Sequence, residues 1–209
     1  LFPVRRGLRS ENWSRRPRDE VCCNPMVVVS RTPMSKGVPL LVGAGPLPEL
    51  LMREASTALA DRWGLELSQI SEGESPQEML SKLSAQQGLI RFCGDVARQR
   101  PEGGCWLDAL ADWRQPILLM VAGGTGGDIA GSAAAYTALC HQLGAPLIGL
   151  VQIGSQWNRL QRRRDGLPWM GWIPAADNPE RELALDHLVQ ELNRRCVTAG
   201  AKGAGAHRP

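Results

Sequence analysis

No apolar run in the 209 residues approaches the roughly 18–20 that a bilayer-spanning helix requires, so no segment reads as transmembrane. Histidine is scarce: His141, His187 and His207 are the only three, and none stands at catalytic spacing from a partner. The six cysteines, Cys22, Cys23, Cys93, Cys105, Cys140 and Cys196, form no C-x-x-C pair and show no zinc spacing to a histidine. Cys140 and His141 are adjacent, but neighbours on a helix point apart. The pattern reads as reduced, mostly buried thiols in a cytoplasmic protein. No G-x-S-x-G or other nucleophile motif appears.

Charge is unevenly placed. Residues 1–36 hold eight basic side chains against three acidic ones, and Lys202 and Arg208 lie in the last thirteen residues. The total of +3 therefore leaves residues 37–196 at −4. A mildly acidic body argues against a broad nucleic-acid surface on it. Residues 1–36 read as a basic arm rich in Arg, Pro and Ser, without an ordered core. Alternatively, translation begins at Met26 or Met34 and the arm is not native. Residues 197–209, rich in Gly and Ala, read as a disordered tail.

Between them, strand and helix alternate. Residues 39–42 form an apolar strand, and residues 47–63 a helix with Leu50, Leu51, Ala55, Leu59 and Trp63 on one face, stopped by Gly64. Residues 65–70 alternate as a strand. Ser75-Pro76-Gln77-Glu78 opens a second helix as a capping box with proline at its first position. Residues 89–92 form a short strand and residues 106–113 a helix. Residues 117–122 form an apolar strand buried on both faces. A helix over 129–143 stops at Gly144. Strands over 146–153 and 171–174 follow, and a last helix is capped by Asp177 or Asn178. Such alternation predicts right-handed βαβ units: a three-layer, single-domain α/β fold over 37–196, with a largely parallel sheet and helices on both faces.

The first strand runs into Gly43-Ala44-Gly45-Pro46-Leu47-Pro48-Glu49-Leu50, where a P-loop would sit. G-x-x-x-x-G-K-[ST] requires Gly, Lys and Ser/Thr after four spacers. Here Pro48, Glu49 and Leu50 stand at those places. A carboxylate replaces the lysine that would reach the β/γ-phosphates, and two prolines remove N–H donors from the cradle.

Residues 102–175 resemble the dethiobiotin synthetase group of P-loop enzymes, and more loosely the cobyrinate and Mrp-like ATPases. The framework is Glu102-Gly103-Gly104, the helix over 107–113, the strand over 117–121 and Gly127-Asp128-Ile129-Ala130. Leu147-Ile148-Gly149-Leu150-Val151 and Gly171-Trp172-Ile173-Pro174 complete it. The resemblance implies a P-loop-like sheet and a metal-holding or basic role for Glu102. The chemistry departs from the group. Its asparagine-histidine turn is Ala130-Gly131 here, its base-reading asparagine is absent from Gln152-Ile153-Gly154, and its Walker lysine is Glu49. Residues 123–128 are also similar to the glycine turn of some sugar-nucleotide glycosyltransferases.

Ligands of open parallel sheets bind beyond the carboxyl ends of the strands. Two glycine turns fall there, one with Gly43 and Gly45 and one with Gly123, Gly124, Thr125, Gly126, Gly127 and Asp128. Four glycines let a backbone approach an anion, and the next helix offers free N–H groups. The bland alternative is a flexible loop with Asp128 as helix N-cap. Arg159, Arg162, Arg163 and Arg164 follow the next strand and suit a mobile, phosphate-gripping lid, or else a solvated connection. Glu102 is the one weak catalytic candidate, with a solvated loop acid as the alternative. The sequence names no cofactor and no metal.

The leading expectation is a degenerate P-loop-like protein that does not hydrolyse nucleoside triphosphates and binds a phosphate-bearing or nucleotide ligand. An active transferase on a nucleotide or phosphorylated substrate is one alternative. A non-catalytic subunit for a protein partner or homo-oligomer is another. No membrane is expected among the partners.

Overall fold

The computed structural model describes residues 38–45, 47–83 and 88–203, with side chains to Cys196. The basic arm, both candidate start methionines, Pro46 and residues 204–209 lie outside the described residues. In chain order the elements are β1 (Leu40–Gly43), α1 (Glu49–Trp63), β2 (Leu67–Ser71), α2 (Pro76–Leu83), β3 (Leu89–Cys93) and α3 (Trp106–Asp112). They continue with β4 (Ile117–Ala122), α4 (Ser132–Leu143), β5 (Leu147–Ile153), α5 (Arg159–Arg164), β6 (Trp169–Ile173) and α6 (Arg181–Gly203). The six strands form one sheet in the order β2-β3-β1-β4-β5-β6, and every pairing is parallel. The expected α/β architecture is present. No helix among the described residues is long and apolar enough to cross a membrane.

Alternation along the central strands divides the core into two layers. Leu40 and Val42 of β1, with Ile117, Leu119 and Val121 of β4, face α2, α3 and α4. Leu41 of β1, with Leu118 and Met120 of β4, faces α1 and α6. This explains why β4 is apolar at successive positions: both of its faces are covered.

Two of the helix stops come from glycine in the left-handed region. Gly64 (φ 69°) and Gly144 (φ 68°) end α1 and α4. After each, the next residue's N–H returns to the carbonyl five residues back: Leu65 to Ala60 at 3.0 Å and Ala145 to Cys140 at 2.9 Å. These are the stops read from the sequence. Three helix starts move. α1 begins at Glu49 because Pro48 is extended (ψ 125°). α4 begins at Ser132, three residues later than read, because Ile129 bridges back to Gly123. α6 begins at Arg181, after a turn in which Asn178 Oδ1 accepts from the Glu180 N–H at 2.8 Å. The second strand starts at Leu67 rather than Leu65, since Leu65 closes α1. The 159–164 segment is a helix: Asn158 Oδ1 accepts from the N–H groups of Leu160 and Gln161, both at 3.1 Å.

Candidate functional site

β1 is flanked by β3 and β4, and its connection leaves toward the opposite face from theirs. α1 packs on the Leu41 side, while α3 and α4 pack on the Leu40 side. That divergence opens a crevice at the carboxyl ends of the strands. A cavity of about 190 Å³ lies there, lined by Gly43, Gly45, Leu47, Glu49, Met52, Phe92, Gly94 and Asp95. It is smaller than the roughly 300–1,000 Å³ of a site for a drug-sized ligand.

Glu49 lines this cavity from the first turn of α1. Its Oε1 accepts from Arg91 Nη1 at 2.5 Å. Arg91 sits inside β3, only 4% exposed, and its Nη2 donates to Gln69 Oε1 on β2 at 2.7 Å. Arg91 Nε, also buried, has no hydrogen-bond partner among the described residues. Glu49 thus neutralises a cation that the sheet has buried.

On the other side, Asp95 Oδ1 accepts from the Tyr136 hydroxyl at 2.5 Å and from the Ala97 N–H at 2.9 Å. Burial, reinforced by Asp95, pushes the Tyr136 phenol well above its ordinary range, so it donates throughout ordinary pH. Glu72 Oε2 accepts from the Asp95 N–H at 3.1 Å, and its Oε1 from Arg98 at 2.8 Å. Tyr136 lies one turn after Ser132, and a Cβ on Gly45 would stand 3.2 Å from Ser132 Cβ. Gly45 therefore meets the start of α4, which follows the second glycine turn.

That second turn is built into its surroundings. A short 3₁₀ segment, Thr125–Gly127, has the Gly127 N–H returning to the Gly124 carbonyl at 3.1 Å. The Gly124 N–H donates to the Asp128 carbonyl at 2.7 Å, and the Gly123 N–H to the Ile153 carbonyl at 2.9 Å. Gly127 has φ 85°, and a Cβ there would lie 2.7 Å from the Gln156 carbonyl oxygen. A Cβ on Gly123 would lie 2.8 Å from both Gln152 Nε2 and Ser155 Cβ. These two glycines are demanded by packing against residues 152–156. Gly126, at φ 78°, has open space around it, and Gly124, Thr125 and Gly126 are exposed at the tip. Asp128 is extended and exposed, and the N-cap of α4 is Gly131, so Asp128 does not cap that helix.

The arginines divide by role. Arg162 is 6% exposed and donates through Nη2 to the Gly127 carbonyl at 2.7 Å. Its Nη1 pairs with Asp165 at 3.2 Å, and its guanidinium lies 5.1 Å from the Trp169 ring centroid. Trp157 stacks on Trp172 and meets Trp169 edge-on. Arg159, Arg163 and Arg164 are exposed on the same short helix. The structure thus brings Gly127 and Arg162 into contact, packs Gly123 against Gln152 and Ser155, and leaves Arg159 and Arg163 exposed on the helix that carries Arg162. Gly43 and Gly45 line the cavity at the carboxyl ends of β1 and β3 instead. Glu102 is exposed in a surface turn and pairs with Arg100 at 3.3 Å. No group of His, Cys, Asp or Glu among the described residues is arranged to hold a metal.

Sequence reasoning passed over Arg91, Asp95 and Tyr136. Arg91 carried a signal, a cation within the apolar run Leu89-Ile90-Arg91-Phe92. Asp95 and Tyr136 carried none, being 41 positions apart. Comparison with models of known protein families and with curated proteins gives no match.

Proposed function

We propose that this α/β protein binds a phosphate-bearing small molecule at the carboxyl edge of its sheet and does not hydrolyse nucleoside triphosphates. The observation that carries the reading is the Arg162–Gly127 hydrogen bond of 2.7 Å. It docks a helix bearing three exposed arginines against a glycine turn whose tip, Gly124 to Gly126, is open to solvent. Arginine matches phosphate oxygens bidentately, and exposed backbone N–H groups add to it. The edge is polarised along its length. The β1–β3 cavity presents Glu49 and Asp95, which disfavour phosphate, and the α5 end is basic. Asp128 is the exposed acid of that turn and sets a limit on how much anionic charge it accepts. With Glu49 rather than a lysine following Gly43 and Gly45, the charge stabilisation on which phosphoryl transfer depends is missing there. A cytoplasmic location fits this reading, since Cys93, Cys105, Cys140 and Cys196 are free thiols.

A thermal-shift screen with inorganic phosphate, nucleotides and sugar nucleotides tests the proposal. A ligand at a hundred times its Kd adds about 2.7 kcal/mol of stability. Arg159→Ala with Arg163→Ala should weaken that ligand and flatten its salt dependence while leaving the ligand-free melting temperature in place. Absence of any anion-dependent shift would sink the reading and favour the interaction-subunit alternative, with Trp157, Trp169 and Trp172 at the β6 edge as its surface.

A further inference from the structure

We propose that the cavity at the carboxyl ends of β1 and β3 binds a small organic monocation, a primary alkylammonium with a short apolar chain. The charges around the cavity are unequally matched. Glu49 and Asp95 line it, and the rest of the lining is apolar or glycine. Glu49 is matched, because Arg91 Nη1 donates to its Oε1. Asp95 is not. Its Oδ1 accepts from the Tyr136 hydroxyl and the Ala97 N–H, which are neutral donors, and no cation among the described residues pairs with it. Arg98, the nearby base, pairs with Glu72 instead. The cavity therefore carries a single carboxylate charge in excess, and a monocation balances it.

Both carboxylates also keep acceptor capacity. No group among the described residues donates to Asp95 Oδ2 or Glu49 Oε2, so each retains an oxygen for an ammonium N–H. Leu47, Met52 and the buried Phe92 supply apolar walls for a short alkyl chain. Such walls are a poor surrounding for a hydrated metal ion, and no group of His, Cys, Asp or Glu among the described residues is arranged to hold one. The volume of about 190 Å³ is room for roughly six heavy atoms at about 30 Å³ each, the share of a water molecule in the liquid. An amine of the size of n-butylammonium matches it. This site uses none of the residues of the α5 end, so it stands or falls independently of the function proposed above.

The test titrates the full chain with n-butylammonium chloride and, at matched ionic strength, with tetramethylammonium chloride, sodium butyrate and n-butanol. Binding is read from the Met52 methyl resonance, assigned by its loss in Met52→Leu. Butylammonium should shift that resonance saturably, and butyrate and butanol should leave it in place over the same range. Asp95→Asn keeps an oxygen for Tyr136 and Ala97 and removes the charge. It should weaken butylammonium at least about tenfold, the order of a charge-assisted hydrogen bond. Glu49→Gln still accepts from Arg91 but uncovers its charge, and should weaken binding by a similar factor. If Asp95→Asn does not fold, Glu49→Gln carries the comparison. No saturable shift with butylammonium overturns the proposal, as does affinity unchanged in the variants. Equal binding of butanol overturns it too, since the cavity would then select the chain and not the charge. Tighter binding of tetramethylammonium overturns the primary-ammonium assignment.

Discussion

The Tyr136 hydroxyl donates to Asp95 Oδ1 at 2.5 Å and so ties the second turn of α4 to the loop that leaves β3. The same aspartate oxygen also accepts from Ala97, so the bond locks a loop as well as joining two elements. Tyr136→Phe removes the hydroxyl alone. It should lower stability by about 1.5–3 kcal/mol, the net worth of a hydrogen bond to a charged group, read as a shift in the urea midpoint at unchanged slope.

Gly126 and Gly127 should respond differently to the same change. Alanine at Gly126 meets only the cost of positive φ, about 1–2 kcal/mol. Alanine at Gly127 adds a clash with the Gln156 carbonyl oxygen, a backbone atom, at 2.7 Å. Chemical denaturation should rank Gly127→Ala as clearly the more damaging. Equal costs would show that the turn is looser than its contacts indicate.

On the proposed reading no magnesium-dependent hydrolysis of ATP or GTP is expected, because Glu49, engaged by Arg91, puts a carboxylate rather than a lysine after the first glycine turn. A phosphate-release assay checks this. Turnover at ordinary enzymatic rates that disappears in Glu102→Ala would overturn the non-hydrolysing reading and give the Arg100-paired Glu102 a direct role.

Asp186 should shape the acid limb of the stability curve. Its hydrogen bond from Arg62, which joins α6 to α1, holds its carboxyl below the ordinary range. A depressed carboxylate stabilises the fold above its unfolded pKa of about 3.9 and loses that contribution as pH falls through the lower folded value. Melting temperatures from pH 6 down to pH 2 should fall less steeply for Asp186→Asn than for wild type.

Cys140 should be silent to thiol reagents in the native state. Complete burial pushes its pKa up to about 11, so the reactive thiolate is absent at neutral pH. The sign for stability follows. Between the unfolded value and about 11 the unfolded chain ionises and the native one does not, so stability is lost as pH rises through that window. Labelling that appears only with denaturant would confirm the burial. Rapid labelling at pH 7 without denaturant would contradict it.

What the sequence made legible was local. Gly64 and Gly144 mark helix ends because their backbone angles belong to glycine, and the apolar stretch of β4 marks a strand covered on both sides. The start of α4 was not legible, because the bridge of Ile129 to Gly123 depends on a turn whose glycines are dictated by residues 152–156. The Glu49–Arg91 pair joins residues 42 apart on elements whose adjacency follows from strand order. Arg162 looked like its exposed neighbours in composition, and only its contacts with Gly127, Asp165 and Trp169 set it apart.

The strand order also constrains how the molecule can be made. β1 precedes both of its partners in the chain, and those partners, β3 and β4, end at Cys93 and Ala122. At about 5–20 residues per second, a ribosome needs seconds to carry the chain from Gly43 to Ala122. Until Cys93 the apolar stretch from Leu40 to Val42 has no partner strand, after it only β3 on one side, and its pairing with Ile117 to Leu119 must close a long loop. The central β1–β4 pairing thus becomes available only after β2 and β3 have been made, and ahead of β5 and β6. One edge of β1 therefore stays without its neighbour until β4 has cleared the exit tunnel.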